Sequence, residues 1–333
     1  MKITELTDKI KNGGFDASFA RLYGKDAIEI QRIRYAKAAE SFCELFGSDR
    51  DVHVFSVPGR SEISGNHTDH NRGCVLAAAV DLDIIAIASK RDDGIATVKS
   101  EGFDADTVSV TDGKNDCKKY SSAALIKGMG AGFLKEGYNV GGFDAFTTSN
   151  VKKGSGLSSS AAFEVMIGTI LNYLYNEGKA DEPEVARIAQ YAENEFFGKP
   201  CGLMDQTACA VGGFIAIDFI DPAAAKIEKL PFDLTAAGYS LCITDTGGNH
   251  ADLNEDYASV PSDMKLVASK FGRDVLRGLS IEEIAEKVPE LRETVGDRAI
   301  LRAFHFITEN DRVAFQSDAL KRGDLDAFLD GVK

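Results

Sequence analysis

A glycine- and serine-rich segment with the composition of a phosphate-binding loop precedes an apolar helical pattern. Its members are Gly154, Ser155, Gly156, Leu157, Ser158, Ser159 and Ser160, and Lys152 and Lys153 come directly before them. The glycines allow the backbone to approach a ligand closely, and amides and the helix dipole favour an anion at a helix N-terminus. The alternative is a loop with a serine N-cap, but the flanking lysines favour a phosphate ligand. The Gly-Lys-Ser/Thr triplet of a Walker A loop does not follow.

A second polar segment, residues 57–73, lies between two apolar strand patterns. It includes Asn66, His67 and Asp69, whose polar atoms are suited to paired sugar hydroxyls. An exposed turn rich in Asn, Asp and Gly would have the same composition, and these residues alone do not decide between the two. His67 and His70 have no third candidate ligand at hand, so we do not expect a metal ion there.

The third segment, residues 193–206, carries a carboxylate among apolar neighbours. Asp205 follows Leu203 and Met204, and burial there would raise its pKa unless a cation lies beside it. With an arginine alongside, Asp205 would be suited to act as a general base. The alternative role is an N-terminal helix cap.

Composition limits the classes of partner. The chain has 333 residues, 44% of them hydrophobic, which is a globular composition. Its formal net charge of −14 opposes binding to nucleic acid or to anionic membranes. Six scattered cysteines without a CxxC pair indicate reduced thiols and no zinc site, and neither a signal peptide nor a membrane span is recognisable. We therefore expect a cytoplasmic protein with small-molecule ligands.

Hydrophobic periodicity predicts the elements that must position these segments. Helices are predicted near 26–46, 121–136, 158–175 and 183–197, and strands near 51–57, 74–88, 94–112, 142–148, 211–219 and 238–245. The mixture lacks regular βαβ alternation, which favours an α+β fold, with a domain boundary near residue 215.

Taken together, the three segments resemble the GHMP kinase superfamily and, within it, the galactokinases. Pro58–Asp69 resembles the family's Pro-Gly-Arg segment leading into Gly-Glu-His-Thr-Asp-Tyr. Gly154–Ala161 resembles its phosphate loop, Gly-x-Gly-Leu-Ser-Ser-Ser-Ala, and Cys201–Gln206 resembles its catalytic segment, Cys-Gly-x-Met-Asp-Gln. The three occur in the family's order, and the resemblance spans nearly the whole chain.

The resemblance implies a two-domain fold with the active site in the cleft. Residues 1–215 would form the GHMP N-terminal domain, which is like ribosomal protein S5 domain 2, and residues 216–333 an α+β C-terminal domain. The implied reaction transfers the ATP γ-phosphoryl group to the anomeric hydroxyl of galactose. The family's third, glycine-rich motif does not occur before Lys333, so we expect this C-terminal domain to be incomplete.

The resemblance also implies roles for individual residues. Asp205 matches the catalytic base and Arg60 the cation beside it, while Ser160 and Glu193 match the Mg²⁺ ligands. The matching sugar-contacting positions are Asn66, His67, Asp69, Gly202 and Tyr257. The ATP-binding positions are those of the phosphate loop, Gly154, Ser155, Gly156, Leu157, Ser158, Ser159 and Ser160.

Three positions depart from the family pattern. Asn66 and His70 stand where the family has glutamate and tyrosine, and Lys152 replaces a proline. Loss of a carboxylate that would accept from a sugar hydroxyl weakens the case for galactose. The alternatives are a kinase for another hexose or an N-acetylhexosamine, and a sensor that binds sugar and ATP without catalysis.

The departures at positions 66 and 70 generate a prediction about the acceptor sugar. With Mg-ATP and competing sugars, we expect sugar-dependent ADP release because the segments that carry the kinase chemistry are intact, and preference for galactose over N-acetylgalactosamine would identify galactose as the acceptor. A coupled ADP assay measures this. Preference for N-acetylgalactosamine would reassign the acceptor, and use of neither sugar would count against both acceptors.

Overall fold

The computed structural model describes residues 1–152, 154, 156–244 and 254–333. Within them the helices are α1 (Ile3–Lys11), α2 (Asp16–Tyr23), α3 (Ile28–Phe46), α4 (Ser122–Lys135), α5 (Ser159–Tyr175), α6 (Glu182–Tyr191), α7 (Met204–Val211), α8 (Asn254–Ser269), α9 (Ile281–Thr294), α10 (Asp297–Arg322) and α11 (Leu325–Val332). The strands are β1 (His53–Ser64), β2 (Cys74–Arg91), β3 (Ile95–Ser100), β4 (Ala105–Ser109), β5 (Gly142–Ser149), β6 (Phe214–Asp218) and β7 (Lys226–Leu230).

The predicted elements agree with this order in most places. A π-helical turn, Ala192–Phe197, continues α6, so the helix predicted at 183–197 is not α-helical throughout. The strand predicted at 238–245 is wrong where the chain is described, because residues 239–244 form no strand. Alternating apolar residues do not suffice there, since a strand also needs a neighbour to complete its hydrogen bonds. None of the described helices has the length and apolar character of a membrane span.

The chain forms two compact units that interleave in sequence. The first unit comprises Met1–Gly59, Asp81–Lys153 and Leu157–Ala210, and the second comprises Arg60–Val80, Gly154–Gly156 and Val211–Lys333. The domain limits 1–215 and 216–333 stay a prediction.

The first unit is built on the C-terminal half of β2, which is buried on both faces. The strand order is β4-β3-β5-β2, with β3 and β5 parallel and the other pairs antiparallel. Because side chains alternate along a strand, Ile84, Ala86 and Ala88 pack into one core with α4, α5 and α6. Ile85 and Ile87 pack into the other core with α1, α2 and α3. The apolar run in β2 is therefore a consequence of burial on two sides.

The second unit contains the N-terminal half of β2, which pairs with β6, and β6 in turn pairs with β7. Leu76 and Ala78 pack with apolar residues of α10 and α11 in one cluster. A separate helical core joins α8, α9 and α10. The long helix α10 thus belongs to both cores of this unit.

A buried carboxylate organises one edge of the first unit. Asp83 is 2% exposed and accepts hydrogen bonds from Arg34 Nη1 at 2.6 Å, Ser56 Oγ at 2.6 Å and Tyr23 Oη at 2.5 Å. Arg34 Nη2 also donates to the backbone carbonyl of Asp83 at 3.0 Å. Removing one member of a buried ion pair leaves its partner's charge uncompensated, which costs about 3–5 kcal/mol.

We therefore expect Asp83→Asn to lower the free energy of unfolding by about 3 kcal/mol or more. The measurement is urea unfolding of the variant against the wild type. The control is Asp104→Asn at an exposed position between β3 and β4, where we expect a change within about 0.5 kcal/mol. Equal unfolding midpoints for the two variants would contradict the assigned role of Asp83.

Candidate active site

The phosphate loop, residues 154–160, follows β5 in the chain and ends in the first turn of α5. Gly154 and Gly156 have φ values of +78° and +76°, and Ser158 has φ +57°. These conformations favour glycine at the first two positions. Ser158 is the N-cap residue of α5, yet its side chain makes no capping hydrogen bond. The alternative of a serine N-cap is therefore not realised by Ser158, and the geometry suits an anion at this helix N-terminus.

The hydroxyl of Ser158 instead contacts the candidate base. Ser158 Oγ donates to Asp205 Oδ2, although the two residues are 47 positions apart. Asp205 lies in the first turn of α7, where the helix dipole favours a negative charge. The phosphate loop and Asp205 are thus joined by a direct side-chain contact within the first unit.

Glu193 is a deeply buried carboxylate next to the start of α5. It lies in the π-helical turn and is 2% exposed, and burial raises its pKa. Ser160 Oγ donates to Glu193 Oε1 at 3.5 Å, and Lys199 Nζ lies 3.9 Å from the same oxygen. A hydroxyl and a carboxylate oxygen are hard ligands of the type that Mg²⁺ prefers, so these two residues fit the implied ion.

Among the described residues, no three His, Cys, Asp or Glu side chains converge as a metal site. In phosphoryl-transfer sites Mg²⁺ is usually held by one or two protein ligands together with substrate phosphates and water.

Sequence analysis assigned no role to two buried residues near Glu193. Gln206 Nε2 donates to Glu193 Oε2 at 2.8 Å and to Glu164 Oε2 at 3.3 Å. Glu164 and Gln206 are both 0% exposed, and burial, followed by the charge of Glu193, raises the pKa of Glu164. A signal did exist, because Glu164 is the one charged residue between Ser158 and Tyr175.

Residues 65–74, here called the sugar loop, form a closed turn between β1 and β2. Thr68 is fully buried, and its Oγ1 donates to the carbonyls of Gly65 at 2.8 Å and Cys74 at 2.7 Å. Gly65 has φ +91°, and a Cβ there would lie 2.3 Å from the Cys74 carbonyl oxygen. Only glycine fits this position without a shift of the backbone. His67 also has a positive φ, +59°, and its partial burial lowers its pKa.

Helix α10 holds both ends of the sugar loop by side-chain hydrogen bonds. Glu309 Oε2 accepts from the Gly65 amide at 2.9 Å, and Asn310 Oδ1 accepts from the Cys74 amide at 2.6 Å. Glu309 is 7% exposed, and its other oxygen pairs with Arg312 at 3.0 Å. Two consecutive residues of one helix therefore set the width of the loop.

The predicted site residues divide between the two units. The first unit contains Leu157, Ser158, Ser159, Ser160, Glu193, Gly202 and Asp205, and the second contains Arg60, Asn66, His67, Asp69, Gly154 and Gly156. Arg60 Nη1 donates to the Gly156 carbonyl at 2.6 Å, which ties the predicted cation to the phosphate loop. Ser155 and the side chain of Tyr257 lie outside the described part of the chain.

Comparisons with known proteins show to which protein family this chain is similar. Residues 124–213 match the model for the GHMP kinases N terminal domain, and residues 40–90 match the galactokinase galactose-binding signature. A galactokinase of Streptomyces coelicolor is 34% identical over 293 residues, which cover 87% of this chain and 74% of that protein. A galactokinase of Actinobacillus pleuropneumoniae is 33% identical, covering 86% and 74%. The chain belongs to the galactokinase family.

Solved structures agree with this family and fold. Lactococcus lactis galactokinase complexed with galactose superposes with a TM-score of 0.71 and 25% identity, covering 90% of this chain and 77% of that one. A putative sugar kinase from Campylobacter jejuni has a TM-score of 0.52 at 18% identity, covering 85% and 76%, and this likeness concerns the fold alone. The predicted resemblance to galactokinases and the α+β GHMP kinase fold are confirmed.

The contacts of α10 generate a prediction about the sugar loop. We expect Glu309→Ala to leave the Gly65 amide without its acceptor, which costs about 1–3 kcal/mol. Amide hydrogen exchange across residues 65–74 should then become faster by the factor to which this loss of free energy corresponds. Glu290→Ala on the exposed side of α9 is the control and should leave this exchange unchanged. Equal protection in both variants would show that Glu309 does not brace the loop.

Proposed function

We propose that this chain transfers the γ-phosphoryl group of ATP to the anomeric hydroxyl of galactose, forming galactose 1-phosphate and ADP. The observation that carries the proposal is the contact between Ser158 of the phosphate loop and the Asp205 carboxylate. It joins a candidate base to the part of the phosphate loop that lies in the same compact unit. Membership of the galactokinase family supports the same reaction.

Asp205 acts as the general base in this proposal. Its carboxylate takes the proton of the anomeric hydroxyl, so that the sugar oxygen forms a bond to the γ-phosphorus while the bond to the ADP oxygen breaks. The hydrogen bond from Ser158 orients the carboxylate. Positioning of this kind matters because phosphoryl transfer depends mainly on geometry and electrostatics.

Arg60 is assigned to stabilise the negative charge that develops on the transferring group. Its guanidinium Nη1 donates to the Gly156 carbonyl, which holds the side chain at the phosphate loop. The phosphate loop, Gly154–Ser160, is assigned to the ATP phosphates, whose charge suits the amides at the start of α5.

Ser160 and Glu193 are the residues that would hold Mg²⁺. When bound, the ion neutralises charge on the β- and γ-phosphates. Gln206 donates to Glu193 Oε2 and so leaves Oε1 as the oxygen on the side of Ser160.

The sugar-binding residues in the proposal are Asn66, His67, Asp69, Gly202 and Tyr257. The first three lie within the segment that matches the galactose-binding signature. The ligands are thus a sugar and ATP, and we place the protein in the cytoplasm.

The test replaces the proposed base while keeping its shape. We expect Asp205→Asn to lower kcat by roughly 10²- to 10⁴-fold, the range for loss of a general base, because an amide cannot accept the hydroxyl proton. Galactose binding, measured by titration calorimetry, should persist. The control is Asp274→Asn at an exposed position, which should turn over like the wild type.

Unchanged turnover in Asp205→Asn would remove Asp205 from its role. Binding of sugar and ATP by the wild type with no ADP formed would instead favour the non-catalytic sensor.

A further inference from the structure

The side chains of Glu62 and Asn66 form a pair within the segment that matches the galactose-binding signature. Asn66 Nδ2 donates to Glu62 Oε2 at 3.2 Å. Glu62 is half-buried near the end of β1, whereas Asn66 is exposed in the sugar loop. A carboxylate and an amide therefore lie together, and of these two residues only Asn66 was predicted to contact the sugar.

Glu62 lies on the same strand face as Arg60. Side chains alternate along a strand and rise by about 3.3 Å per residue, so residues 60 and 62 project in the same direction about 6.6 Å apart along β1. Arg60 is the residue assigned to the transferring phosphoryl group. A sugar whose anomeric hydroxyl is phosphorylated presents its other hydroxyls at distances of this order.

The backbone on the Asn66 side of the pair is held in place. His305 Nε2 lies 2.8 Å from the Asn66 carbonyl oxygen, and Glu309 accepts from the preceding amide, that of Gly65. The side-chain amide of Asn66, which contacts Glu62, therefore projects from a loop whose backbone is held in place. A recognition group that is ordered before binding loses less entropy when the ligand arrives.

We propose that Glu62 determines sugar specificity by accepting a hydrogen bond from a galactose hydroxyl, with Asn66 orienting its carboxylate. The proposal rests on the proposed function, because it concerns the same sugar site. An ionised carboxylate is purely an acceptor with several lone pairs, so it can bind Asn66 and a sugar hydroxyl together. The carboxylate absent from position 66 is then supplied from position 62.

The first test is Glu62→Gln, which keeps the shape and removes the charge. We expect galactose to bind roughly 10- to 100-fold more weakly, as for loss of a hydrogen bond to a charged group, with the KM for ATP unchanged. Titration calorimetry gives the dissociation constant, and steady-state ADP release gives both KM values. Glu286→Gln on the exposed side of α9 is the matched control, and its galactose affinity should equal that of the wild type.

The second test exchanges the two groups across the pair. The double variant Glu62→Asn with Asn66→Glu restores one carboxylate and one amide, so we expect it to bind galactose more tightly than Glu62→Asn alone. Recovery would separate recognition by the pair from damage to the fold. No recovery, in a double variant that unfolds at the wild-type temperature, would count against the proposal.

A set of monodeoxygalactoses tests direct contact with a hydroxyl. The wild type should lose affinity for one of these analogues, whereas Glu62→Gln should bind that analogue and galactose equally. Galactose affinity in Glu62→Gln equal to that of the wild type would overturn the proposal and leave the kinase reaction standing. Wild-type galactose binding without ADP formation would overturn the proposed reaction alone, because the dissociation constants still decide the role of Glu62.

Discussion

In the first unit, the proposed site residues depend on one buried arrangement, in which two carboxylates share a single side-chain amide. Glu164 and Glu193 are almost completely inaccessible and share the Nε2 group of Gln206. Burying charge is costly unless it is hydrogen-bonded or neutralised, so the amide restricts where both carboxylates can lie. Gln206 directly follows Asp205 in α7. The hydrogen bond from Gln206 to Glu193 therefore also restricts where the neighbouring Asp205, the proposed base, lies relative to the proposed metal ligand.

The same cluster accounts for the local backbone. Glu193 lies in a π-helical turn, a form that is rare and occurs frequently at functional sites. Through Gln206, this turn is connected to the starts of α5 and α7, which carry Ser160 and Asp205. Phosphoryl transfer gains most from positioned charges, and a buried, hydrogen-bonded support holds such charges better than an exposed loop would.

In the second unit, the corresponding feature is the support of the partly buried sugar loop. Gly65 permits the close backbone crossing, Thr68 bonds both of its ends, and Glu309 and Asn310 hold it from α10. The Glu309 contact joins residues 244 positions apart. The apolar packing of α10 in two cores offsets the loss of chain entropy that bringing such distant residues together requires. The predicted sugar-binding residues of this loop are thus supported by a helix that contributes none of the predicted sugar contacts.

Local patterns predicted much of the fold. The helix at 158–175 and the strand at 142–148 follow from apolar periodicity, and the structure places α5 and β5 within one residue of those limits. The strand at 238–245 was wrong in its described part because alternation reports only which side chains could be buried. It does not report whether a neighbouring strand completes the ladder.

The sequence by itself determined the motif segments and their order, and hence the family, because glycines, serines and single carboxylates are required by local backbone geometry and by chemistry. Tertiary structure alone decided their partners. It directed Ser158 to Asp205 rather than to its own helix, and it buried Glu164 under Gln206. It also placed Glu62 against Asn66. The physical reason is that hydrogen bonds between distant segments depend on how the elements pack, and neither composition nor periodicity encodes that packing.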